Sequence, residues 1–278
     1  KTFKNCKSKI GLVNEIQLKS VIWRSLMKEI LLKTESLSKS FSNDGTMQHV
    51  LKNIDVQLYK GDFTVIMGAS GAGKSTFLYA LSGMDTPTLG TITFGDSVIS
   101  DFSSDELAVF RREHCGFVFQ QIYLIDGMSV MDNILTAGFL VNKDKKAVIQ
   151  CARELLKAVD ISVETQNKFP TQISGGEAQR VGIVRALINS PEILFADEPT
   201  GALNSKTGLD VLDTLTAFNE QGQSIVMVTH DMRSARRGNR ILYLKDGMIL
   251  GECDLGKYVH EDTERHKKLS AFLTEMGW

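Results

Sequence analysis

One nine-residue string constrains the fold of this chain more than any other feature of its sequence. Residues 68–76 read G-A-S-G-A-G-K-S-T, follow the apolar run 63–67, and overlap the start of a helical pattern at 74–82. Glycines in such a loop let backbone N–H groups turn inward at a helix N-terminus, where hydrogen bonds and the helix dipole favour an anion. Strand, loop and helix in this order predict an α/β sheet that binds nucleotide phosphates.

We expect two side chains of this loop to act directly on the nucleotide. Lys74 is predicted to reach the β- and γ-phosphates, and Ser75 is predicted to bind Mg²⁺. A glycine-rich turn can match the pattern by chance, but the preceding strand and the following helix argue against that alternative. The residues predicted to surround the phosphates are Gly68, Ala69, Ser70, Gly71, Ala72, Gly73, Lys74, Ser75 and Thr76.

The rest of the chain alternates between apolar segments of strand length and of helix length. Open α/β sheets bind ligands beyond the carboxyl ends of their strands, and we expect chemistry-bearing residues after each strand. Between about 121 and 174 the strand patterns disappear, and periodic segments at 128–140 and 145–159 indicate a helical insertion. The predicted strands are 50–58, 63–67, 116–119, 193–196, 224–228 and 240–244.

Two adjacent carboxylates follow the apolar run 193–196. Neighbouring side chains of a strand face opposite ways, so Asp197 and Glu198 can have different roles. Asp197 suits a Mg²⁺ site, whereas Glu198 is free to orient or deprotonate the attacking water. The alternative is a pair of solvated carboxylates, which the phosphate loop elsewhere in the chain disfavours.

Two further polar residues follow predicted strands. His230 comes after the run 224–228, and we expect it to contact the γ-phosphate, although a lone histidine is more often structural. Gln120 comes directly after the run 116–119 and before the helical insertion. Its neutral amide is predicted to contact Mg²⁺ or the attacking water and to transmit the state of the site to the insertion.

A second string with the chemistry of an anion site opens another predicted helix. Residues 173–180 read I-S-G-G-E-A-Q-R, with a serine and two glycines at the start of the helix. The first loop already surrounds one triphosphate, so this second site is predicted to bind the nucleotide of a second molecule. A capped helix after a tight turn is the simpler interpretation, but it does not explain the full string. The residues concerned are Ser174, Gly175, Gly176 and Glu177.

Composition and charge exclude several classes of protein. The 278 residues are 42% hydrophobic, carry a net charge of −1, and include no apolar stretch of the roughly 20 residues that a membrane span needs. We therefore expect a soluble globular protein of one large domain or two small ones. The four scattered cysteines suggest neither disulfides nor a thiolate metal site, which favours a reducing compartment. Residues 27–278 carry a net charge of −6, which argues against binding nucleic acid.

The two ends of the chain carry separate predictions. Residues 1–26 have six basic residues and one acidic residue, and the first methionine is Met27. We interpret this extension as upstream sequence; a basic targeting segment is the alternative. Near the other end, Leu269, Phe272, Leu273 and Met276 share one helical face, which favours a helix packed on its own domain over a partner-binding helix.

In sequence order, these strings resemble the ATP-binding subunit of an ABC transporter over roughly residues 31–252. Together they are highly specific, because other phosphate-loop proteins share only the Walker motifs. The matches are 68–76 with Walker A, Gln120 with the Q-loop, 174–179 with the signature, 193–198 with Walker B, 202–204 with the D-loop and His230 with the switch histidine.

The resemblance implies an α/β fold of the P-loop NTPase type, with a mixed sheet core, an antiparallel β region and a helical subdomain that bears the signature. The implied domain covers 27–252, with its helical subdomain at about 121–175, followed by an amphipathic helical tail at 253–278. It also implies a homodimer that holds ATP and Mg²⁺ between the Walker A loop of one copy and the signature of the other. Phe41 is similar to the aromatic that stacks on adenine, with simple packing as the alternative.

Within the family, residues 116–121 and 197–204 resemble the group that serves lipoprotein release, macrolide export and bacitracin-type peptide export or resistance. This implies ATP hydrolysis that drives a permease with a large external domain, docked beside Gln120 at the cytoplasmic face of the membrane. Two residues depart from the usual pattern: Glu177 replaces a frequent Gln, and Asn204 replaces the usual D-loop Asp. Because of Asn204, the resemblance does not predict how the two nucleotide sites communicate, although it still predicts ATP binding.

Three other functions are alternatives to an ATPase subunit of a transporter. The first is an ATP-driven regulatory module that acts on a membrane partner without transport, and the sequence barely distinguishes the two. A soluble ABC ATPase that acts on DNA or ribosomes is weaker, because the chain has no long coiled coil, zinc motif or second ATPase domain. A GTPase is disfavoured, because residues 142–145 place a lysine where the guanine motif N-K-x-D requires aspartate.

Overall fold

The computed structural model describes residues 28–43 and 46–278. The predictions for the extension 1–26 and for Met27 lie outside these residues. The described strands are β1 (Ile30–Asn43), β2 (Thr46–Tyr59), β3 (Phe63–Met67), β4 (Leu89–Phe94), β5 (Ser97–Val98), β6 (Cys115–Phe119), β7 (Ile193–Asp197), β8 (Ser224–Val228), β9 (Arg240–Lys245) and β10 (Met248–Asp254). The described helices are α1 (Lys74–Leu81), α2 (Ser104–His114), α3 (Val130–Gly138), α4 (Lys145–Ala158), α5 (Gly175–Leu187), α6 (Ser205–Glu220), α7 (Met232–Ala235) and α8 (Thr263–Glu275).

The strands form two sheets. One is antiparallel, in the order β2-β1-β4-β5, and the other follows the order β10-β9-β3-β8-β7-β6. In the second sheet the strands from β9 to β6 are parallel, and β10 pairs with β9 antiparallel. The strands β3, β7 and β8 are buried along their whole length, as expected for parallel strands covered on both faces.

Alternate side chains of β3 enter different hydrophobic clusters. Ile66 belongs to the cluster between the two sheets and α1, whereas Val65 and Met67 belong to the cluster on the opposite face, with residues of α5, α6 and α8. A third cluster joins α3, α4 and α5. The parallel sheet is therefore held from both sides, which fixes the carboxyl ends of β3, β7 and β8 relative to one another.

The fold predicted from sequence is confirmed, with a mixed sheet core and an antiparallel β region. The segment 128–159 contains α3 and α4, and no strand lies in the described residues between β6 and β7. The strand β9 differs from the other parallel strands, because none of the predicted site residues follows it. This strand instead enters a tight turn at Asp246 and Gly247, both with positive φ, and reverses into β10. Turns of this kind connect antiparallel strands and present no ligand-binding edge.

The last helix packs against the parallel sheet. Leu269 and Leu273 of α8 are fully buried, and Phe272 and Met276 lie against Gly251 of β10. These contacts agree with the predicted packing of this apolar face on the same chain. Within the described residues, no helix is both long enough and apolar enough to cross a lipid bilayer.

Candidate functional site

The loop 68–76 connects the buried strand β3 to α1, as the sequence predicts. Gly68 lies so close to β9 that a Cβ atom there would be 2.1 Å from the carbonyl oxygen of Leu244. Gly73 precedes the first helical residue with a φ of +98°, a left-handed conformation that side chains disfavour. Both glycines are therefore required for the loop to turn directly from the end of β3 into the N-terminus of α1.

Lys74, the first residue of α1, folds its side chain back over the loop. Its Nζ donates a hydrogen bond to the carbonyl oxygen of Ala69 at 2.9 Å, and the residue is 8% exposed. Burial lowers the pKa of Lys74, while the carboxylates of Glu198 and Asp197 act in the opposite direction. The loop thus holds a shielded amino group where the helix N-terminus already favours an anion.

The hydroxyl groups of α1 meet the carboxylate at the end of β7. Ser75 Oγ donates to Asp197 Oδ1 at 3.0 Å, and Tyr79 Oη donates to Asp197 Oδ2 at 3.0 Å. Burial and the negative charge of Asp197 raise the pKa of Tyr79 to about 12, so its phenol stays protonated at neutral pH. The sequence predicted that Ser75 and Asp197 both bind Mg²⁺, but it predicted no role for Tyr79. Its only sequence signal is its position one helical turn after Ser75.

Glu198 leaves the strand direction and faces β8. Its φ is +47°, in the left-handed region that few residues other than glycine adopt, and its N–H donates to the carbonyl oxygen of Val228. The side chain then reaches two residues that follow β8. His230 Nδ1 lies 2.7 Å from Glu198 Oε1, and Thr229 Oγ1 donates to Glu198 Oε2 at 3.3 Å. Glu198 and His230 therefore form a pair, with the imidazole 66% exposed and the carboxylate 17% exposed.

Gln120 lies at the start of the connection from β6 to α3. Its side chain packs on Gly201, where a Cβ atom would be 2.9 Å from Gln120 Nε2, and the N–H of Gly201 donates to the carbonyl oxygen of Glu198. The amide of Gln179 in α5 donates to the carbonyl oxygen of Phe119 at 3.0 Å. The segment Phe119–Gln120 therefore contacts both the turn after Glu198 and α5, the helix that begins with the signature string. The contact with α5, through Gln179, was not predicted from the sequence.

The signature string forms a capped helix start. Ser174 Oγ accepts a hydrogen bond from the N–H of Glu177, and the Glu177 carboxylate accepts bonds from the N–H and hydroxyl of Ser174, both at 2.8 Å. These two bonds hold the pKa of Glu177 below its ordinary value. A Cβ atom on Gly176 would be 2.7 Å from Thr207 of α6, so the glycine allows the two helix starts to pack together. The string therefore does form a capped helix start, through Ser174 and Glu177. The packing on Thr207 accounts for the glycine at position 176.

Asn204 and Phe41 lie outside the sheet edge and contact their own neighbours. Asn204 caps α6, because its side-chain oxygen accepts a hydrogen bond from the N–H of Thr207 at 3.1 Å. An aspartate would make the same bond, so the departure preserves the helix start. Phe41 in β1 is 43% exposed, and the ammonium group of Lys39 lies 4.9 Å from its ring centre. Its ring is open to a further stacking partner, in contrast to a packed core aromatic.

The parallel sheet thus brings together five of the predicted residues at one edge. Lys74 and Ser75 come from α1, Asp197 and Glu198 from the end of β7, and His230 from the segment after β8. The signature residues lie instead beside Leu203 and Thr207 at the start of α6. Within the chain, the arrangement offers a cation and N–H donors for phosphates, oxygen ligands for a hard cation, and a carboxylate beside a histidine.

Comparison with known families agrees with this geometry. The sequence model of the ABC transporter family matches residues 51–201, just over half of the chain. The chain belongs to this family, in which it is one of the ATP-binding subunits that hydrolyse ATP.

Three curated relatives illustrate the similarity. An uncharacterized ABC transporter ATP-binding protein of Methanocaldococcus jannaschii is 40% identical over 79% of this chain and 98% of its own length. The bacitracin export ATP-binding protein BceA of Halalkalibacterium halodurans is 40% identical over 81% of this chain and 89% of its own length. The macrolide export ATP-binding/permease protein MacB of Escherichia coli is 40% identical over 80% of this chain. The match covers only 34% of MacB.

A solved structure has the same fold. It is the ATP-binding cassette MJ0796 in a dimeric post-hydrolysis state bound to ADP and Pi, with a TM-score of 0.73 and 37% identity. The similarity covers 81% of this chain and 98% of that one. The predictions of the family, the fold and ATP hydrolase activity are therefore confirmed.

Proposed function

We propose that this chain hydrolyses ATP to power a membrane permease that exports, or gives resistance to, peptide-like or amphiphilic compounds. The observation that carries the ATPase part is the convergence of Lys74, Asp197 and the Glu198–His230 pair at one sheet edge. The export part rests on the similarity to BceA over most of both chains and to the cassette part of MacB. In this proposal residues 27–252 form the ATPase domain and 253–278 its tail.

Each residue of the sheet edge has a separate task in hydrolysis. The N–H groups of the loop 68–76 and the ammonium group of Lys74 hold the phosphates. Glu198 orients the attacking water and accepts its proton, and this carboxylate already faces His230. His230 contacts the γ-phosphate through its exposed ring, and Gln120 senses the water or the cation from its position on Gly201.

The oxygen atoms of Ser75 and Asp197 fit a magnesium ion. Mg²⁺ prefers oxygen ligands and is commonly bound by one or two carboxylates together with substrate phosphates. The pair supplies one hydroxyl and one carboxylate, and no cluster of three His, Cys, Asp or Glu suited to a metal occurs in residues 28–43 and 46–278. When bound, the ion supplies positive charge to the phosphate oxygens. Gln120, which follows β6 beside the end of β7, is proposed as a further ligand of the ion.

The signature residues are proposed to act on the nucleotide of a second copy. Ser174, Gly175, Gly176 and Glu177 form a capped helix start that packs on Leu203 and on Thr207 of α6. A helix N-terminus favours an anion, so this element can complete the phosphate site of a partner. The exposed ring of Phe41 is proposed to stack on the adenine. The complete site then needs two chains, which matches the dimeric state of MJ0796.

The permease is proposed to dock in the groove beside Gln120 and the helical segment 121–175, and to carry a large external domain. Gln120 is joined to Glu198 through Gly201 and to α5 through Phe119 and Gln179. A partner that contacts Gln120 would therefore be linked through these contacts to the turn after Glu198 and to α5. The chain would then reside at the cytoplasmic face of the membrane through its partner.

Isolation of the complex from native membranes tests this function. The full chain with an affinity tag and Glu198→Gln would be expressed in its host and purified from detergent-solubilised membranes with ATP and Mg²⁺. We expect an integral membrane protein with a large external domain to co-purify in stoichiometric amount. The matched control is Glu220→Gln at the exposed end of α6, which should recover the same partner and retain ATP turnover.

Two results would contradict the proposal. Recovery of soluble partners alone, with the chain absent from membranes, would favour an ATPase that acts on soluble machinery. A reconstituted complex in which ATP turnover activates the partner without moving a peptide-like or amphiphilic compound would favour a regulatory module instead.

A further inference from the structure

The carboxylate of Asp197 is held at both of its oxygen atoms by one helix. Ser75 donates to Oδ1 and Tyr79 donates to Oδ2, each at 3.0 Å. The two donors are four residues apart in α1, so their side chains lie on the same helical face one turn apart. The plane of the carboxylate is therefore fixed by two bonds from a single rigid element.

The hydroxyl of Tyr79 is not needed for packing. The ring of Tyr79 packs against the hydrophobic cluster between the two sheets, a contact that phenylalanine would also make. Asp197 is 9% exposed, so water can satisfy little of its hydrogen-bonding capacity. The phenol supplies the second partner and leaves the carboxylate with one defined orientation rather than several.

We propose that Tyr79 is a positioning residue that fixes the Asp197 carboxylate for the binding of Mg²⁺ with ATP. This inference rests on the proposed function, which places Mg²⁺ at Ser75 and Asp197. Mg²⁺ demands nearly ideal octahedral geometry, so a ligand that rotates binds it less well. Groups that orient a metal ligand typically change metal affinity by about tenfold to a hundredfold. Tyr79 acts through Asp197 and does not itself touch the nucleotide.

The test is the Mg²⁺ dependence of nucleotide binding by the full chain. The probe is the non-hydrolysable analogue adenylyl imidodiphosphate, titrated in EDTA and over a series of Mg²⁺ concentrations. For Tyr79→Phe we expect a half-saturating Mg²⁺ concentration about tenfold higher than for the wild type, with the affinity in EDTA unchanged. The matched control is Tyr59→Phe, which removes a surface hydroxyl bonded to Gln57 and should leave both quantities unchanged.

A second variant separates failure of this inference from failure of the proposed function. Asp197→Asn should lose most of the Mg²⁺ dependence, and Tyr79→Phe should then add no further change, as expected for residues that act as one unit. Wild-type Mg²⁺ dependence in Asp197→Asn would overturn the proposed metal site and the inference with it. Loss in Asp197→Asn but a wild-type value in Tyr79→Phe would overturn only the inference. A Tyr79→Phe protein that is merely less stable, with no Mg²⁺ shift, would assign the hydroxyl a structural role.

Discussion

At the scale of single residues, the site depends on carboxylates whose orientation is set by their neighbours. Asp197 is bonded by two hydroxyls of α1, Glu198 by Thr229 and His230, and Glu177 by Ser174. Charged hydrogen bonds of this kind are stronger than neutral ones and fix geometry. The three acids therefore have different hydrogen-bond partners, which the sequence alone did not identify.

Glu177 gives a prediction for the pH dependence of stability. The N–H and hydroxyl of Ser174 hold the pKa of Glu177 below its ordinary value, so the ionised carboxylate stabilises the folded chain. That contribution is complete above the unfolded pKa of about 4.3 and is lost as pH falls through the folded pKa. In Glu177→Gln, which keeps an acceptor oxygen but cannot titrate, the free energy of unfolding should fall less steeply below about pH 4.3 than in the wild type.

Urea unfolding across this pH range measures the difference. Glu220→Gln, which removes a carboxylate from the exposed end of α6, serves as the control and should follow the wild type. Parallel pH profiles for the wild type and Glu177→Gln would show that the Ser174 bonds do not stabilise the ionised form.

The roles of Lys74, Asp197 and Glu198 stay predictions, but the sequence indicated residues that do lie together, because phosphate chemistry requires glycines, a lysine and carboxylates at fixed positions along the chain. It did not predict Tyr79, because an aromatic residue in an amphipathic helix is more often part of a core. Its hydroxyl gains a partner only when α1 packs beside the end of β7, a contact across more than a hundred residues of sequence. The hydrogen bond of Gln179 was not predicted for the same reason, since its partner is the distant backbone carbonyl of Phe119.

At the scale of secondary structure elements, α8 is anchored by one buried cation. Arg265 is 4% exposed and donates hydrogen bonds to the carbonyl oxygens of five residues. Burial lowers the pKa of its guanidinium group, whereas Asp262, Tyr258 and Asp254 act in the opposite direction. The ring centre of Tyr258 lies 5.6 Å from the guanidinium carbon. The guanidinium therefore ties the tail to the segment before β9 and to the loop after β10. The accepting residues are Arg236, Gly238, Leu255, Gly256 and Lys257.

Removal of this cation should loosen the tail. We predict that Arg265→Met lowers the free energy of unfolding by about 2–4 kcal/mol, because five carbonyls lose charged hydrogen bonds and that of Gly238 stays buried. Limited proteolysis should then cleave first in the segment 255–262, and urea unfolding gives the energy. Arg153→Met on the exposed face of α4 is the control and should change stability by less than about 0.5 kcal/mol. Equal effects of the two substitutions would contradict the anchoring role.

The elements were unequally predictable from sequence. The buried strands β3 and β8 coincide with their predicted bounds, because short apolar runs between turns have few other interpretations. The long strands β1 and β2 and the helix α2 contain many polar residues. Their secondary structure therefore depends on pairing and packing with distant parts of the chain. The strand β9 was predicted, but its reversal into β10 was not, because chemistry-bearing residues were expected after this strand.

At the scale of the whole molecule, the edge of the parallel sheet supplies only part of the site. Lys74, Asp197 and Glu198 lie together, whereas the signature helix starts beside α6 and contacts Thr207. A cavity of about 220 Å³ lies between Glu198, His230 and Asn204. The second glycine-containing string, at 173–180, predicted a site for the nucleotide of a second molecule, but its position beside α6 became visible only in the folded structure.

The proposed two-chain site gives the most direct test of the account. The measurement is the mass and nucleotide content of purified Glu198→Gln in ATP and Mg²⁺, by size-exclusion chromatography with light scattering. We predict a species of two chains that retains ATP, with turnover about a hundredfold to ten-thousandfold below the wild type. Glu220→Gln should instead turn over ATP like the wild type. A Glu198→Gln protein that remains a single chain, or that converts ATP to ADP at the wild-type rate, would contradict the account.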